Sequence, residues 1–392
     1  MEQDGRTARR HDLDFIRVVV FALLMIYHTS LIFGTHSWLL RADLPSRSFD
    51  LISLVSHPWR ISLLFLISGI STAALAKRLS PADIRGRRSR QLIPPLLFGI
   101  FVLVPPQIYI AARTSLDLQM SYRDFWATYL SFGAIVDRNG APISLVSLQH
   151  LWFIAYLWLY TVLLTLFMVR SDGWLTRVSM RLSGLLRGGG LFVWPIVSLA
   201  ALRLGVYPLF GETMDVFHDW YAHLVYFGFF GFGYLMADNE AFWTAVVAGR
   251  GQAALIAGVS LALITALFML YPADERGLAL IMLHRVGRSA FQWSAIVAIL
   301  GFCRVLITAP HPVISYFNRA MLSCYVLHQT ILLLFAYWLK QTYGLGSGSF
   351  LLIVVVTAAC CLLLDEVQRR AARLARGWGL KGALAGIQPS TS

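Results

Sequence analysis

The sequence predicts an all-α polytopic membrane protein with about ten transmembrane helices and both termini in the cytoplasm. Of its 392 residues, 57% are hydrophobic and only 14% are charged, and the mean hydropathy is +0.65. Apolar runs of roughly 20 residues, the length that crosses a bilayer as a helix, recur along the whole chain. Lysine and arginine cluster between these runs, as topology signals do. This combination excludes an ordinary soluble domain and makes the lipid bilayer a partner.

Ten apolar runs define the predicted spans. They lie near residues 14–34, 59–77, 92–112, 150–169, 190–206, 220–236, 252–271, 289–306, 321–340 and 349–365. A transmembrane domain therefore covers 14–365, between an N-terminal cytoplasmic tail, 1–13, and a basic C-terminal cytoplasmic tail, 366–392. The first run is expected to be a retained span and not a cleaved signal peptide, because it is long and carries Arg17 and His28.

Basic residues predict the orientation. Most of the 33 lysines and arginines fall in segments that share the side of the N-terminus, which the positive-inside rule makes cytoplasmic. The densest of these segments is 77–90, KRLSPADIRGRRSR. The formal charge of +13 is thus explained by topology, and we expect no nucleic acid partner. The C-terminal tail either lies along the anionic inner leaflet or is a plain topology anchor.

The four cysteines and the longest polar segment give weaker signals. All cysteines fall within or at the edge of predicted spans without metal-ligand spacing, so we expect small buried hydrophobic side chains and no metal site. Residues 113–149 form the longest stretch outside the spans, on the outer side. With Tyr122, Trp126 and Tyr129 among polar residues, this stretch is predicted to form a short interfacial helix or a lid.

The first span carries the strongest functional signal. Arg17 and His28 are eleven residues apart, so on an α-helix both lie on nearly the same face, roughly 16 Å apart along the axis. Ionisable groups at membrane depth are costly and usually face the protein interior or a watery cavity. We therefore hypothesise that this face lines a reaction chamber in which His28 is a general base. The alternatives are a buried histidine satisfied by a neighbour, and an Arg17 that merely pairs with Asp14.

The second span and the segment before the third span contain further candidate residues. Arg88 and Arg90 precede the third span, where they are either topology signals or guanidinium forks that bind phosphates at a cytoplasmic mouth. Arg60 lies near the outer end of the second span. Ser68 and Gly69 lie near its middle, where a small pair permits either close helix packing or close approach of backbone to a ligand.

Further histidines extend the candidate site, whose predicted substrate- or donor-binding residues are Asp14, Arg60, Ser68, Arg88, Arg90, His150 and His328. His150 begins the fourth span near the outer surface, and His57 lies in the same way at the start of the second span. His328 lies within the ninth span, at a depth where burying an ionisable group costs free energy. Arg17, Arg88 and Arg90 thus lie toward the cytoplasm, while His28 and His150 lie toward the outside. That asymmetry suits a reaction that draws an anionic, phosphate-bearing donor from within and acts on an acceptor outside.

Five sequence elements together carry a family resemblance. They are LDFIR with a histidine eleven residues after its arginine, FLISG in the second span, RSR before the third, HLWF at 150–153, and YVLHQ at 325–329. In this order they resemble the membrane-bound acyltransferase-3 family, over nearly the whole chain. HPWR at 57–60, in place of the general family pattern there, is similar to the glucan biosynthesis protein C-like branch of that family.

The resemblance implies an O-acyltransferase. It implies transfer of an acyl group, acetyl or succinyl, from cytoplasmic acyl-CoA to a sugar hydroxyl of a periplasmic or surface glycan. His28 would activate the acceptor or relay the acyl group, and Arg17 would orient the donor or stabilise developing charge. Arg88 and Arg90 would hold CoA phosphates, and Arg60 is a candidate cation for a succinyl carboxylate. No tightly bound cofactor is implied.

Two other classes of function stay open. A transporter or exporter of an anionic or glycan substrate would use the same histidine and arginines without acyl chemistry. A membrane sensor or scaffold leaves the Arg17–His28 alignment unexplained. The chain has no P-loop, HExxH or GxSxG element, which argues against nucleotide hydrolases, zinc proteases of that class and α/β-hydrolases.

Overall fold

The computed structural model describes residues 10–36, 38–136, 142–169, 173–271 and 276–377. These residues form a helical protein with one short antiparallel ribbon. The helices are α1 (His11–Phe33), α2 (Arg47–Ala76), α3 (Pro81–Phe98), α4 (Val104–Ser115), α5 (Tyr122–Leu130), α6 (Trp152–Val169), α7 (Trp174–Leu185), α8 (Gly190–Gly205), α9 (Tyr207–Phe210), α10 (Trp220–Met236), α11 (Glu240–Leu270), α12 (Leu278–Leu306), α13 (Pro312–Tyr343) and α14 (Ser349–Gly377). A π-helical turn, Gly99–Leu103, joins α3 to α4, and a 3-10 turn, Gln149–Leu151, precedes α6. In the ribbon, β1 (Ala134–Val136) pairs with β2 (Pro142–Ser144).

The prediction of an all-α polytopic membrane protein is confirmed. Within the described residues, nine helices are long and apolar enough to cross a membrane. The sixth predicted span, 220–236, is the helix α10 with 17 residues, about 25 Å long. The parts of both predicted tails at 1–9 and 378–392 lie outside the described residues.

Several helices begin well before their predicted spans. The helix α2 starts at Arg47 where the apolar run starts at 59, and α12 starts at Leu278 where the run starts at 289. A scan for apolar runs finds only the hydrophobic part of a helix, whereas backbone hydrogen bonding continues through polar residues that the protein itself buries. As a consequence Arg288, predicted to lie in an outer loop, is a helical residue of α12.

The chain divides into two compact units. The first unit comprises Met1–Val20, Leu54–Arg87 and Leu159–Asn318, and the second comprises Phe21–Ser53, Arg88–Trp158 and Arg319–Ser392.

In the first unit, α2 and α10 touch backbone to backbone through two glycines. A Cβ added to Gly69 would overlap the carbonyl oxygen of Phe230, and a Cβ added to Gly233 would overlap that of Leu66. Ser68 turns its hydroxyl back to the carbonyl oxygen of Leu64, at 2.7 Å. The packing interpretation of Ser68 and Gly69 is therefore the one that the structure supports.

In the second unit, the loop after α1 is fastened to the loop after α13. The Asp43 carboxylate accepts from the Leu345 amide at 2.6 Å and pairs with Lys340 at 3.0 Å. The Leu345 hydrogen bond and then the Lys340 contact lower the pKa of Asp43. Beneath these loops lies a hydrophobic cluster from α1, α4, α13 and α14 that includes Ile32 and Leu332, both fully buried.

The predicted short helix in the outer segment is present as α5, and it caps the π-helical turn. Trp126 donates to the carbonyl oxygen of Phe101 at 3.2 Å, and the Tyr129 hydroxyl donates to that of Ile100 at 3.0 Å. A π turn shifts the usual helical hydrogen bonds, so carbonyl groups there need partners of another kind. The residues of α5 supply them.

Candidate functional site

Three histidines meet in the second unit. His28 comes from α1, His150 from the 3-10 turn before α6, and His328 from α13. His28 Nδ1 lies 2.9 Å from His328 Nε2, and the rings of His150 and His328 meet edge to face with centroids 5.1 Å apart. His328 is fully buried, His150 is 4% exposed, and His28 is partly exposed. We call these three residues the histidine cluster.

The hydrogen bonds of the cluster fix the tautomers of its neutral imidazoles. His328 Nδ1 lies 2.7 Å from the Tyr325 carbonyl oxygen, which only accepts, so Nδ1 carries the hydrogen. His328 Nε2 is then an acceptor, and His28 Nδ1–H donates to it. In a neutral imidazole the other nitrogen is basic, so the lone pair of His28 lies on Nε2. The series of hydrogen bonds that joins His28, His328 and the Tyr325 carbonyl group thus makes His28 Nε2 the proton-accepting atom.

His150 is held by the backbone of α13. The His150 Nε2 donates to the Val326 carbonyl oxygen at 3.1 Å. The Tyr325 hydroxyl donates to the backbone carbonyl oxygen of His150. The His150 Nδ1 is buried and has no hydrogen-bond partner within the described ranges. Because an unsatisfied buried acceptor costs free energy, this nitrogen is suited to accept from a bound hydroxyl.

Aromatic rings and a polar network surround the histidine cluster. Trp38 stacks on His28, with centroids 6.0 Å apart and ring planes 4° from parallel. Directly after His328, the buried side chain of Gln329 donates to Gln107 at 2.8 Å, and Gln107 donates to the Thr330 hydroxyl at 2.7 Å. The stacked Trp38 ring limits the rotation of the His28 ring, and the network of Gln329, Gln107 and Thr330 joins α13 to α4.

Arg17 belongs to a polar network in the first unit. It donates to Asp14 at 3.1 Å and to the Ser71 hydroxyl, and Asp14 also accepts from Asn318 at 2.8 Å. The ion pair that the three-residue spacing suggested is therefore present. A cavity of about 390 Å³, lined by Asp14, Phe15 and residues of the α12–α13 connection, opens beside this network.

Arg88 and Arg90 lie on α3 in the second unit, as the histidine cluster does. Arg88 is partly exposed and contacts Gln91 at 3.3 Å, whereas Arg90 is exposed. Between them Ser89 accepts from Trp158 of α6 at 2.9 Å, which fixes this turn of α3. Residues two apart on a helix point to different faces, so the helix by itself does not bring the two guanidinium groups together, and their role in phosphate binding stays a prediction.

Arg60 is a buried residue of the first unit. It is 1% exposed and donates to Ser56, one turn earlier in α2, at 2.9 Å.

Sequence reasoning missed several residues that build the site. Both Trp38 and Tyr325 lie in segments that carried the family resemblance, but no role was assigned to the Trp38 ring or to the Tyr325 carbonyl group. The YVLHQ segment does contain one usable clue, because the Tyr325 carbonyl and the His328 ring lie three residues apart and face each other across one helical turn.

Comparisons with known proteins agree with the sequence elements. The family model described as "Acyltransferase domain" (Acyl_transf_3) matches residues 10–366. "Glucans biosynthesis protein C" of Salmonella typhi and of Salmonella typhimurium are each 29% identical to this chain over 153 residues. That stretch is 39% of this chain and 37% of each relative, so the match spans little more than a third of the relatives' length. No solved structure matches the chain.

Proposed function

Because the chain belongs to the acyltransferase-3 family, we propose that it is a membrane O-acyltransferase that modifies a glycan outside the cytoplasm. The donor is a cytoplasmic acyl-CoA, and the acceptor is a sugar hydroxyl of a periplasmic or surface glycan. The name of the relatives, "Glucans biosynthesis protein C", favours a glucan as acceptor. The observation that carries the proposal is the 2.9 Å contact between His28 and His328.

His28 is the general base of this mechanism. The hydrogen bonds that join the Tyr325 carbonyl, His328 and His28 leave Nε2 as the basic nitrogen of His28. A neutral imidazole accepts a proton near neutral pH. The hydrogen bond to His328 also holds the ring while it becomes charged, as the orienting residue does in other base-assisted acyl transfers.

The proposed step is an acyl transfer with balanced atoms. The acceptor oxygen attacks the thioester carbonyl carbon while its proton moves to His28 Nε2. The tetrahedral intermediate then collapses as the carbon–sulfur bond breaks, and the proton passes from His28 to the leaving CoA thiolate. In the alternative route, His28 Nε2 attacks the thioester carbon and CoA leaves as the thiolate. The acceptor oxygen then attacks the acyl-histidine and displaces Nε2, and the acceptor proton passes to the CoA thiolate.

The arginines bind the donor in this proposal. Arg88 and Arg90 hold the phosphates of CoA, and Arg17 orients the donor through its positive charge. The donor carries an acetyl or a succinyl group, and no tightly bound cofactor or metal takes part. The protein lies in a bacterial-type inner membrane with both termini in the cytoplasm, so Arg88 and Arg90 face the compartment that contains acyl-CoA.

The test is acyl-CoA turnover by the purified protein in nanodiscs. Acetyl-CoA and succinyl-CoA are supplied separately with crude periplasmic glucan, and free CoA is quantified by chromatography. We expect His28→Ala to lower the acceptor-dependent release of CoA by about 10²- to 10⁴-fold, the contribution typical of a general base.

The matched control is His36→Ala. The His36 side chain is 76% exposed and pairs with Asp50, so its removal should leave turnover unchanged. Wild-type turnover in His28→Ala would contradict the assignment of His28. If the wild type moved glycan across the membrane without releasing CoA from either donor, a transporter would replace the enzyme as the best account.

A further inference from the structure

A second concentration of charge lies in the first unit, apart from the histidine cluster and from Arg17, Arg88 and Arg90. Arg203 of α8 is 6% exposed and Arg60 of α2 is 1% exposed, while Arg288 of α12 is partly exposed. All three lie within electrostatic range of His57. We call Arg60, Arg203 and Arg288 the arginine cluster.

The hydrogen bonds of Arg203 and Arg288 end on neutral acceptors. Arg203 contacts Gln292 at 3.4 Å, and Arg288 donates to His57 Nδ1 at 2.8 Å. The Nε atoms of Arg203 and Arg288 are buried and have no acceptor in the part of the chain that the structure describes. The acceptor groups present therefore leave donor capacity unused.

The charges of Arg203 and Arg288 are poorly compensated. Neither Arg203 nor Arg288 forms an ion pair with a carboxylate among the described residues; Glu212 is the carboxylate within electrostatic range of Arg288. The faces of Tyr207 and Tyr221 lie 5.8 and 5.4 Å from the Arg203 guanidinium and offset part of its charge. Buried cations are normally paired, since an unpaired one is costly.

The surrounding residues hold the guanidinium groups in place. Gln292 uses its amide nitrogen to donate to Ser62 at 2.8 Å, so its oxygen is directed to Arg203. His57 accepts from Arg288 at Nδ1, and its neutral imidazole therefore carries its hydrogen on Nε2. The arginine cluster thus holds its donors in fixed positions, and this preorganised arrangement favours anion binding.

We propose that the arginine cluster is an oxyanion-binding site that takes a carboxylate or phosphate group of a substrate. Guanidinium forks match the planar oxygen pairs of such groups, and the two buried Nε–H donors gain acceptors when the anion binds. The anion also supplies negative charge beside Arg203 and Arg288, which form no ion pair among the described residues. This site is independent of the acyl-transfer proposal, because its residues and its test involve neither the histidine cluster nor CoA.

Calorimetric titration of the purified protein in nanodiscs tests the site. Three probes are compared: succinate, inorganic phosphate, and succinamide as the neutral analogue of succinate. We expect saturable binding of succinate or of phosphate and none of succinamide. Binding of succinate alone identifies a carboxylate as the natural group, and binding of phosphate alone identifies a phosphate group. If the wild type binds neither anion, the proposal is overturned.

Two variants separate a binding role from a structural one. Arg203→Gln and Arg288→Gln should each weaken anion binding by at least about thirtyfold, as truncating a buried charged partner does. Without anion, both variants should melt no lower than the wild type, because each removes a poorly compensated buried charge. Arg181→Gln, which changes an exposed arginine of α7, is the matched control and should bind normally. Equal loss in Arg181→Gln, or unchanged affinity in both cluster variants, would refute the site.

Discussion

His328 shows how one side chain defines the chemistry of another. It is fully buried, its Nδ1 is committed to the Tyr325 carbonyl, and its Nε2 accepts from His28. A role for His328 in substrate binding was the sequence prediction. The hydrogen bonds favour a positioning role instead, in which His328 sets the tautomer and the ring orientation of His28.

Substitutions at His328 test this positioning role. His328→Gln keeps an amide that can accept from His28, whereas His328→Leu offers no acceptor. We expect His328→Leu to lower kcat by about 10- to 100-fold with little change in KM, and His328→Gln to recover part of the loss. The measurement is steady-state release of CoA. Equal kcat values in the two variants, or a loss confined to KM, would contradict the positioning role.

The crossing of α2 and α10 depends on two glycines. Gly69 and Gly233 each face a backbone carbonyl of the other helix, with no space for a Cβ. Small residues at helix crossings allow such approach within membranes. The FLISG element that contributed to the family resemblance thus has a packing reason for its glycine.

Alanine substitutions on α10 separate packing from helix propensity. We expect Gly233→Ala to lower the free energy of unfolding by about 1–3 kcal/mol, because the added Cβ overlaps the Leu66 carbonyl and the helices must move apart. Gly231→Ala, on the same helix with open space around its Cβ, should be neutral or slightly stabilising. Thermal unfolding in detergent measures both. A melting temperature for Gly233→Ala equal to that of Gly231→Ala would disprove the close crossing.

The π-helical turn is a second feature of element geometry that the sequence did not reveal. It lies between α3 and α4, and its carbonyl groups accept from Tyr129 and Trp126 of α5. At its end, the Leu103 carbonyl accepts from Gln107 at 3.1 Å and from Thr330 at 2.9 Å. The turn thereby links α5 to the polar network that follows His328. π turns are frequent at functional sites for this reason, since they free carbonyl groups for new partners.

The orientation of the whole chain is a prediction that its charge distribution makes. With the N-terminus inside, the α9–α10 connection at His218 lies outside and α7 lies inside. We expect a membrane-impermeant maleimide added to intact spheroplasts to label His218→Cys and not Arg181→Cys, on a background with the four native cysteines replaced by alanine. Both positions are exposed. Labelling of Arg181→Cys from outside would reverse the topology.

The sequence by itself determined the membrane class and the family, and it singled out His28 as the candidate base. Apolar runs of spanning length and the order of five short motifs carry this information, because both are local properties of the chain. His28 was identifiable for the same reason, since an ionisable group inside an apolar run is expensive. The Arg17–Asp14 pair also follows from local spacing.

The tertiary structure decided how these groups are combined. His28 and His328 are 300 residues apart, and no periodicity predicts which side chains α1 and α13 present to each other. Arg288 escaped notice because helix α12 extends beyond its apolar run, and only packing shows that Arg203 of α8 joins it. Local pattern fixes the cost of burying a charged group. Which distant residue pairs with the buried group depends on the packing of helices that are far apart in the chain.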